Sequence, residues 1–145
     1  MPTTSDLRFA QTAALRLSFT RLSRRVRRHG GAGLSPSQLS IMSTLERHGR
    51  MPLGRLAERE QVSKSSMTRM AAKLEIAGLV DRVQDADDGR VFAIDLTPRG
   101  RDLLAEASRR ADVYLDRQIA ALSPDDRRVL AAAAPVLQRL LEVKA

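Results

Sequence analysis

Apolar positions along the chain recur with two periods, and the change of period marks its parts. From Asp6 to His29 the spacing predicts one long helix. Leu15, Phe19, Leu22 and Val26 form one stripe, and Phe9, Ala13 and Leu17 form a second on another side. Two apolar faces on one helix imply two neighbours, the chain's own core and a second surface. A helix then starts at Ser35-Pro36-Ser37-Gln38, a capping box with proline in its first turn, and ends at His48-Gly49. Leu39, Met42 and Leu45 point inward from it. Pro52 to Glu60 is a short helix with Leu53, Leu56 and Ala57 inward. Only Gln61 and Val62 separate it from the next helix, Ser63 to Ala77, in which Ser63 is the N-cap and Gly78 the left-handed terminator. Met67, Met70, Ala71 and Leu74 share one face of that helix, while Ser65, Arg69 and Ala72 lie opposite, flanked by Ser66, Thr68 and Lys73.

The period then drops to two. Val80 to Val83 and Val91 to Leu96 read as strands, with Phe92, Ile94 and Leu96 alternating. Between them the Asp-Gly of Asp88-Gly89 predicts a hairpin whose turn requires positive φ. Arg50 to Pro52 fits a short strand against this hairpin. Thr97-Pro98 opens a helix to about Ala121, with Leu103, Leu104, Ala107, Ala111, Tyr114 and Leu115 on one broad face. Ser123-Pro124-Asp125-Asp126 starts the last helix, which carries Val129, Ala133, Val136, Leu137, Leu140 and Leu141 and is expected to kink at Pro135. Met1 to Ser5 reads as a loose tail. The fold class predicted is mainly α with a small β-hairpin wing: a winged helix-turn-helix. Its reading domain spans 35–100, flanked by dimerisation segments at 1–34 and 101–145, all in one integrated domain. The terminal helices are more apolar than a lone winged helix requires, so a homodimer is expected; the alternative is a monomer whose stripes are all satisfied internally.

Three pieces of this pattern carry a resemblance. Leu-Ala-Glu at 56–58, Val-Ser-Lys-Ser-Ser-Met-Thr-Arg at 62–69 and Leu-Glu-Ile-Ala-Gly-Leu-Val-Asp-Arg at 74–82 are followed by Asp88-Gly89-Arg90 and by Asp95-Leu96-Thr97-Pro98-Arg99-Gly100. Together they resemble the MarR (multiple antibiotic resistance regulator) family of bacterial transcription regulators. Two positions depart from the common pattern: Ala86 stands where many members have proline, and Gly89 where many have a basic residue. Arg90 is then the wing cation that matters. The resemblance implies a homodimeric repressor that binds double-stranded DNA at a pseudopalindrome, with helix 63–77 in the major groove and wing 84–91 in the minor groove. The DNA-contacting candidates are Lys64, Ser65, Ser66, Thr68, Arg69, Lys73 and Arg90. Arginine can bond guanine in bidentate fashion, serine hydroxyls suit bases or phosphates, and Ala72 suits a thymine methyl. Asp88 either holds Arg90 by an ion pair or supplies the turn. The resemblance also implies a small aromatic or lipophilic effector that weakens DNA binding, although the chain shows no carboxylate-binding cluster and no marked pocket, and a constitutive regulator fits equally.

Composition narrows the alternatives. The net charge is +8. Residues 1–50 carry nine Arg or Lys against two acids, residues 51–101 nine against eight, and residues 102–145 seven of each. A basic chain suggests a polyanionic partner. The surplus lies in the first helix, where it is either a solvated face or a phosphate-facing one. A non-specific basic nucleic-acid binder is therefore the competing function. It lacks the stacking platforms of single-strand readers, since the chain has three Phe, one Tyr and no Trp. With no cysteine, thiol sensing and thiolate metal sites are out. The two histidines, His29 and His48, sit at helix ends without metal-ligand spacing, so neither an enzyme nor a cofactor is expected. No signal-peptide pattern occurs, and the longest apolar run, Val129 to Leu137, falls far short of the roughly 18 residues of a membrane span. The expected location is the cytoplasm, with no membrane partner.

Overall fold

The computed structural model describes residues 4–84 and 86–143. The first three residues of the expected tail, and Asp85 at the start of the wing loop, lie outside the described residues. The element order is α1 (Thr4–Gly30), α2 (Pro36–His48), β1 (Met51–Pro52), α3 (Leu53–Glu60), α4 (Lys64–Ile76), β2 (Val80–Gln84), β3 (Phe92–Leu96), α5 (Pro98–Ala120) and α6 (Pro124–Glu142). The helix thus begins at Thr4, inside the expected tail. The helical reading holds throughout, and the three strands form one antiparallel sheet in the order β1-β3-β2. Met51 pairs with Ile94, and Val80 with Leu96.

Local chemistry sets the helix starts. Ser35 and Gln38 form the reciprocal capping box, and Ser63, Thr97 and Ser123 each cap their helix through a hydroxyl that accepts a backbone N–H. The two helix ends flanking the reading helix are of one type. At the end of α4, the Leu79 N–H bonds the Leu74 carbonyl and the Gly78 N–H bonds that of Glu75, with Gly78 at φ 73. At the end of α3 the Val62 N–H bonds the Ala57 carbonyl, with Gln61 in the left-handed position at φ 55. Both are Schellman closures, one on glycine and one on glutamine.

The core lies inside the winged helix. Ile41, Met42, Leu56, Met67, Leu74 and Ile94 are its largest fully buried side chains, and Leu104 of α5 joins them. Long-range packing of α1 is on α5, near its C-terminal end. There Gly30 is buried where a Cβ would stand 2.7 Å from that of Ala111, and the His29 and Tyr114 rings stack at 3.8 Å. The stripes of α1 are otherwise open: Phe9 is 74% exposed and Leu15 56%. The α6 helix buries no residue at all against its own chain.

Two expectations at the wing are corrected. Gly89 does not adopt positive φ, so the left-handed turn expected at Asp88-Gly89 does not form. The loop is closed by one side chain and one backbone bond: Gln84 Nε2 donates to the Gly89 carbonyl over 2.7 Å, and the Val91 N–H bonds the Asp88 carbonyl. Phe92 does not share the burial of Ile94 and Leu96, being 46% exposed. It pairs with Gln84 at the outer end of the ladder, beyond the reach of the core.

Candidate nucleic-acid interface

The outer face of α4 is built from its own cap. Ser63 Oγ accepts the Ser66 N–H and donates to Ser66 Oγ over 2.9 Å, with Ser65 Oγ 3.2 Å away. Arg69 Nη2 reaches Ser66 Oγ at 3.5 Å, which leans the guanidinium toward the start of the helix. Thr68 turns its hydroxyl inward, donating to the Lys64 carbonyl at 2.8 Å. Lys64, Ser65, Thr68, Arg69 and Lys73 are exposed, while Ser66 and Ala72 are half-buried. Among the described residues no acid lies within ion-pair distance of Lys64, Arg69 or Lys73. The opposite face, Met67, Ala71 and Leu74, is fully in the core, and Met70 is half-buried. Burial on one side thus fixes which side chains face outward.

The wing adds a second cationic edge. Lys64 of α4, Arg82 of β2 and Arg90 beside β3 converge on one shallow concavity of about 270 Å3, floored by Leu53 and Gly54. Recognition-helix start and wing tip are thereby brought to one surface. Arg82 is the member that sequence reading passes over. It faces outward on β2 and pairs with Glu75 at 3.0 Å, joining the end of α4 to the wing. Its signal in the sequence is a polar position within the period-two strand. Asp88 meets Arg90 through the backbone: its Oδ1 accepts the Arg90 N–H at 3.0 Å, the turn-building role rather than the ion pair.

A cavity of about 310 Å3 lies between α1, α2 and α5, which corrects the expectation of no marked pocket. Val26, Leu39, Leu104 and Ala111 give it an apolar lining, with Ser40 and Ser43 of α2, Ser108 of α5 and the cation Arg27 of α1 as polar points. It arises where the small residues Gly30, Ala107 and Ala111 hold α1 and α5 close together. No carboxylate lines it. Among the described residues no group of three or more His, Cys, Asp or Glu could hold a metal ion, and no helix is long and apolar enough to cross a membrane.

Helix, turn, helix and hairpin, with a cationic outer face on the second helix, define a winged helix-turn-helix of the DNA-binding class. The family model for the MarR family matches residues 34–92. Over 139 residues the chain is 37% identical to an uncharacterized HTH-type transcriptional regulator of Mycobacterium bovis, Mb0904, covering 95% of this chain and 96% of that one. A Pseudomonas aeruginosa structure classed as a transcriptional regulator superposes with a TM-score of 0.82 at 32% identity, covering 99% and 100% of the two chains. The fold alone is shared with a Staphylococcus aureus MepR mutant bound to an oligodeoxyribonucleotide: TM-score 0.69, 18% identity, coverage 90% and 97%. The chain belongs to the MarR family and is a transcriptional regulator with a DNA-binding winged helix, not an enzyme.

Proposed function

We propose that the chain is a cytoplasmic homodimeric repressor that binds a pseudopalindromic operator. The outer face of α4 carries this reading: five exposed polar or cationic side chains stand opposite a fully buried face. In the major groove Arg69 makes the bidentate contact to guanine, and Ser65, Ser66 and Thr68 contact bases or phosphates. Lys64 and Lys73 pair with phosphates, and Ala72 packs on a thymine methyl. Arg90 enters the adjacent minor groove, where a narrow A·T tract concentrates negative potential. Asp88 sets the Arg90 backbone. The MepR mutant that shares this fold is bound to an oligodeoxyribonucleotide, which supports a DNA partner.

Dimerisation is supported by what the terminal helices leave open. On α6, Val129, Val136, Leu140 and Leu141 are 65%, 52%, 60% and 81% exposed, and on α1 Phe9, Leu15 and Leu22 are also open. Contiguous apolar faces of this kind mark interfaces. Segments 1–34 and 101–145 form the dimer, and 35–100 reads DNA, with half-sites about one helical turn apart. The cavity beneath α1 suits a small apolar or aromatic effector. Such a ligand weakens DNA binding by its differential affinity for the two separations of the reading heads.

The test is selection of duplexes from a random pool at about 150 mM salt, since affinity without stated salt has no meaning, with particle mass measured in the same buffer. An enriched inverted repeat bound by a dimer is expected. Binding without enrichment that vanishes as salt rises would mean a non-specific basic protein instead.

A further inference from the structure

Glu60 ends α3 and stands immediately before the left-handed Gln61 that opens the turn into α4. Each of its carboxylate oxygens is held by a different hydroxyl of α2. Ser40 Oγ donates to Oε2 over 2.6 Å, and Thr44 Oγ1 donates to Oε1 over 2.5 Å. Ser40 and Thr44 are four residues apart and so share one face of α2. Among the described residues no cation lies within ion-pair distance of Glu60. An ionised carboxylate only accepts, so these two bonds are charge-assisted and stronger than ordinary hydroxyl contacts. They join α3 to α2 beside the longer contact of Arg59 Nη1 with His48 Nε2 at 3.4 Å, and they act at the end of α3 from which the reading helix departs.

Ser40 has a second position in the fold. It lines the cavity of about 310 Å3 between α1, α2 and α5, and also the concavity of about 290 Å3 that Glu60, Val62 and Met70 line behind α4. One residue therefore borders both the proposed effector space and the anchor of the helix-turn-helix.

Resting on the operator-binding reading above, we infer that Glu60 is a positioning residue for the recognition helix, and that Ser40 makes this position depend on what fills the cavity. An occupant that takes the Ser40 hydroxyl, or pushes it aside, withdraws one of the two donors that hold Glu60. The Thr44 bond remains and becomes a pivot. The end of α3, the Gln61 turn and the start of α4 then shift together relative to α2. Base contacts need alignment to a fraction of an ångström, whereas unspecific phosphate attraction does not, so the shift costs selectivity before it costs charge-driven affinity.

The test uses the full chain and a substitution in place of the unidentified effector. Ser108 is exposed on α5 and lines the cavity, so Ser108→Phe puts a ring into that space. Operator and random-duplex affinities are measured for wild type, Ser40→Ala, Ser108→Phe and the double variant. Each single change should lower operator affinity about five- to tenfold, the worth of one hydrogen bond whose charge assistance is screened at an exposed site. Random-duplex affinity and the salt slope should stay as in wild type, and the double variant should fall no further than the weaker single. Effects that multiply within about twofold, the signature of independent sites, or a Ser108→Phe chain that binds the operator like wild type, would overturn the link. Glu60→Gln keeps the shape and an acceptor and should retain most operator affinity, whereas Glu60→Ala should lose it with helix content unchanged. An Ala variant with wild-type selectivity removes Glu60 from any positioning role. A wild-type chain without duplex preference defeats the operator reading itself, before any variant is compared.

Discussion

The Thr97 hydroxyl donates to the Gly78 carbonyl over 2.7 Å, and this bond ties the end of the recognition helix to the start of α5. The same oxygen accepts the Gly100 N–H at 3.0 Å, so one side chain caps α5 and holds the terminus of α4. The Thr97 N–H bonds the Leu79 carbonyl at 3.1 Å, completing the junction. Arg101 adds a bond to the Leu96 carbonyl at 2.8 Å. Reading head and α5 therefore meet at a short, stitched seam, and a movement of one is passed to the other.

Gly100 is where that seam is most sensitive. A Cβ there would stand 2.1 Å from the Leu79 carbonyl oxygen, a backbone atom that cannot swing away. Gly100→Ala should destabilise the fold by about 3 kcal/mol or more, in the range of severe overpacking. Thr97→Val, which loses the cap and the Gly78 bond but keeps the shape, should cost about 1–2 kcal/mol. Urea unfolding of both variants checks the order; an Ala variant as stable as wild type would contradict the close approach.

Gln61 offers the opposite sign. It holds φ 55, a conformation that costs a residue with a side chain about 1 kcal/mol and costs glycine little. Its side chain is exposed and makes none of the described hydrogen bonds. Gln61→Gly should raise stability by about 0.5 kcal/mol, the strain relieved being partly offset by the greater freedom of glycine in the unfolded chain. Gln61→Val, β-branched in the same well, should lower it. Denaturant midpoints for the pair decide the matter.

The elements were legible in the sequence because their signals are local. Ser35, Ser63, Thr97 and Ser123 cap their helices through bonds to residues three positions on, and Gly78 closes α4 one residue after its cap. What was not legible depends on residues far apart in sequence. The Ser40–Glu60 bond spans twenty positions, and the cavity is lined jointly by Gly30 of α1, Leu39 of α2 and Ala107 and Ala111 of α5. The wing turn escaped for a different reason: its backbone bond from Val91 to Asp88 is supplemented by the Gln84 side chain, and it needs no positive φ at Gly89, where the Asp-Gly rule assumes one. Arg82 escaped because its neighbours, Lys64 and Arg90, reach it only when helix and sheet are packed.

Glu106 gives a pH prediction. Hydrogen bonds from Arg109 and Arg110, with their charges, hold its carboxyl at about 2 against an ordinary 4.5. A folded-state pKa below the unfolded one means the stabilisation is fully present above about 4.5 and is lost as pH falls toward 2. The group is at the surface, so solvent screens the pair and the effect on stability is small. The Glu106 side-chain carboxyl carbon, followed by NMR, should titrate near pH 2 in wild type and move toward the ordinary value in an Arg109→Gln, Arg110→Gln variant. An unshifted midpoint would show that the pairs do not persist in solution.

The open face of α6 makes the assembly testable without DNA. Leu140→Glu and Val136→Glu place charges on a face that buries nothing within the chain. A monomer should tolerate them within about 0.5 kcal/mol, as surface substitutions usually are. A dimer built on α1 and α6 should instead dissociate, with particle mass halved and helix content partly retained through the winged-helix core. Sedimentation at several protein concentrations separates the cases, and an unchanged mass would place the interface elsewhere.

The two arginines of the reading surface should fail differently. Arg69 is assigned to a base edge, so Arg69→Ala should cost about 1–3 kcal/mol of operator binding and relax preference at one position of each half-site, leaving random-duplex binding nearly intact. Arg90 is assigned to the minor groove, where its charge matters more than its hydrogen bonds. Arg90→Ala should lower affinity for operator and flanking A·T tracts and reduce the salt slope by about one per subunit. Arg90→Lys should restore the slope but not the full affinity, since lysine keeps the charge without the planar fork. The contrast between the two positions is the measurement: if Arg69→Ala changes the slope and leaves base preference alone, α4 lies along the backbone instead of in the groove, and the orientation assigned to it is wrong.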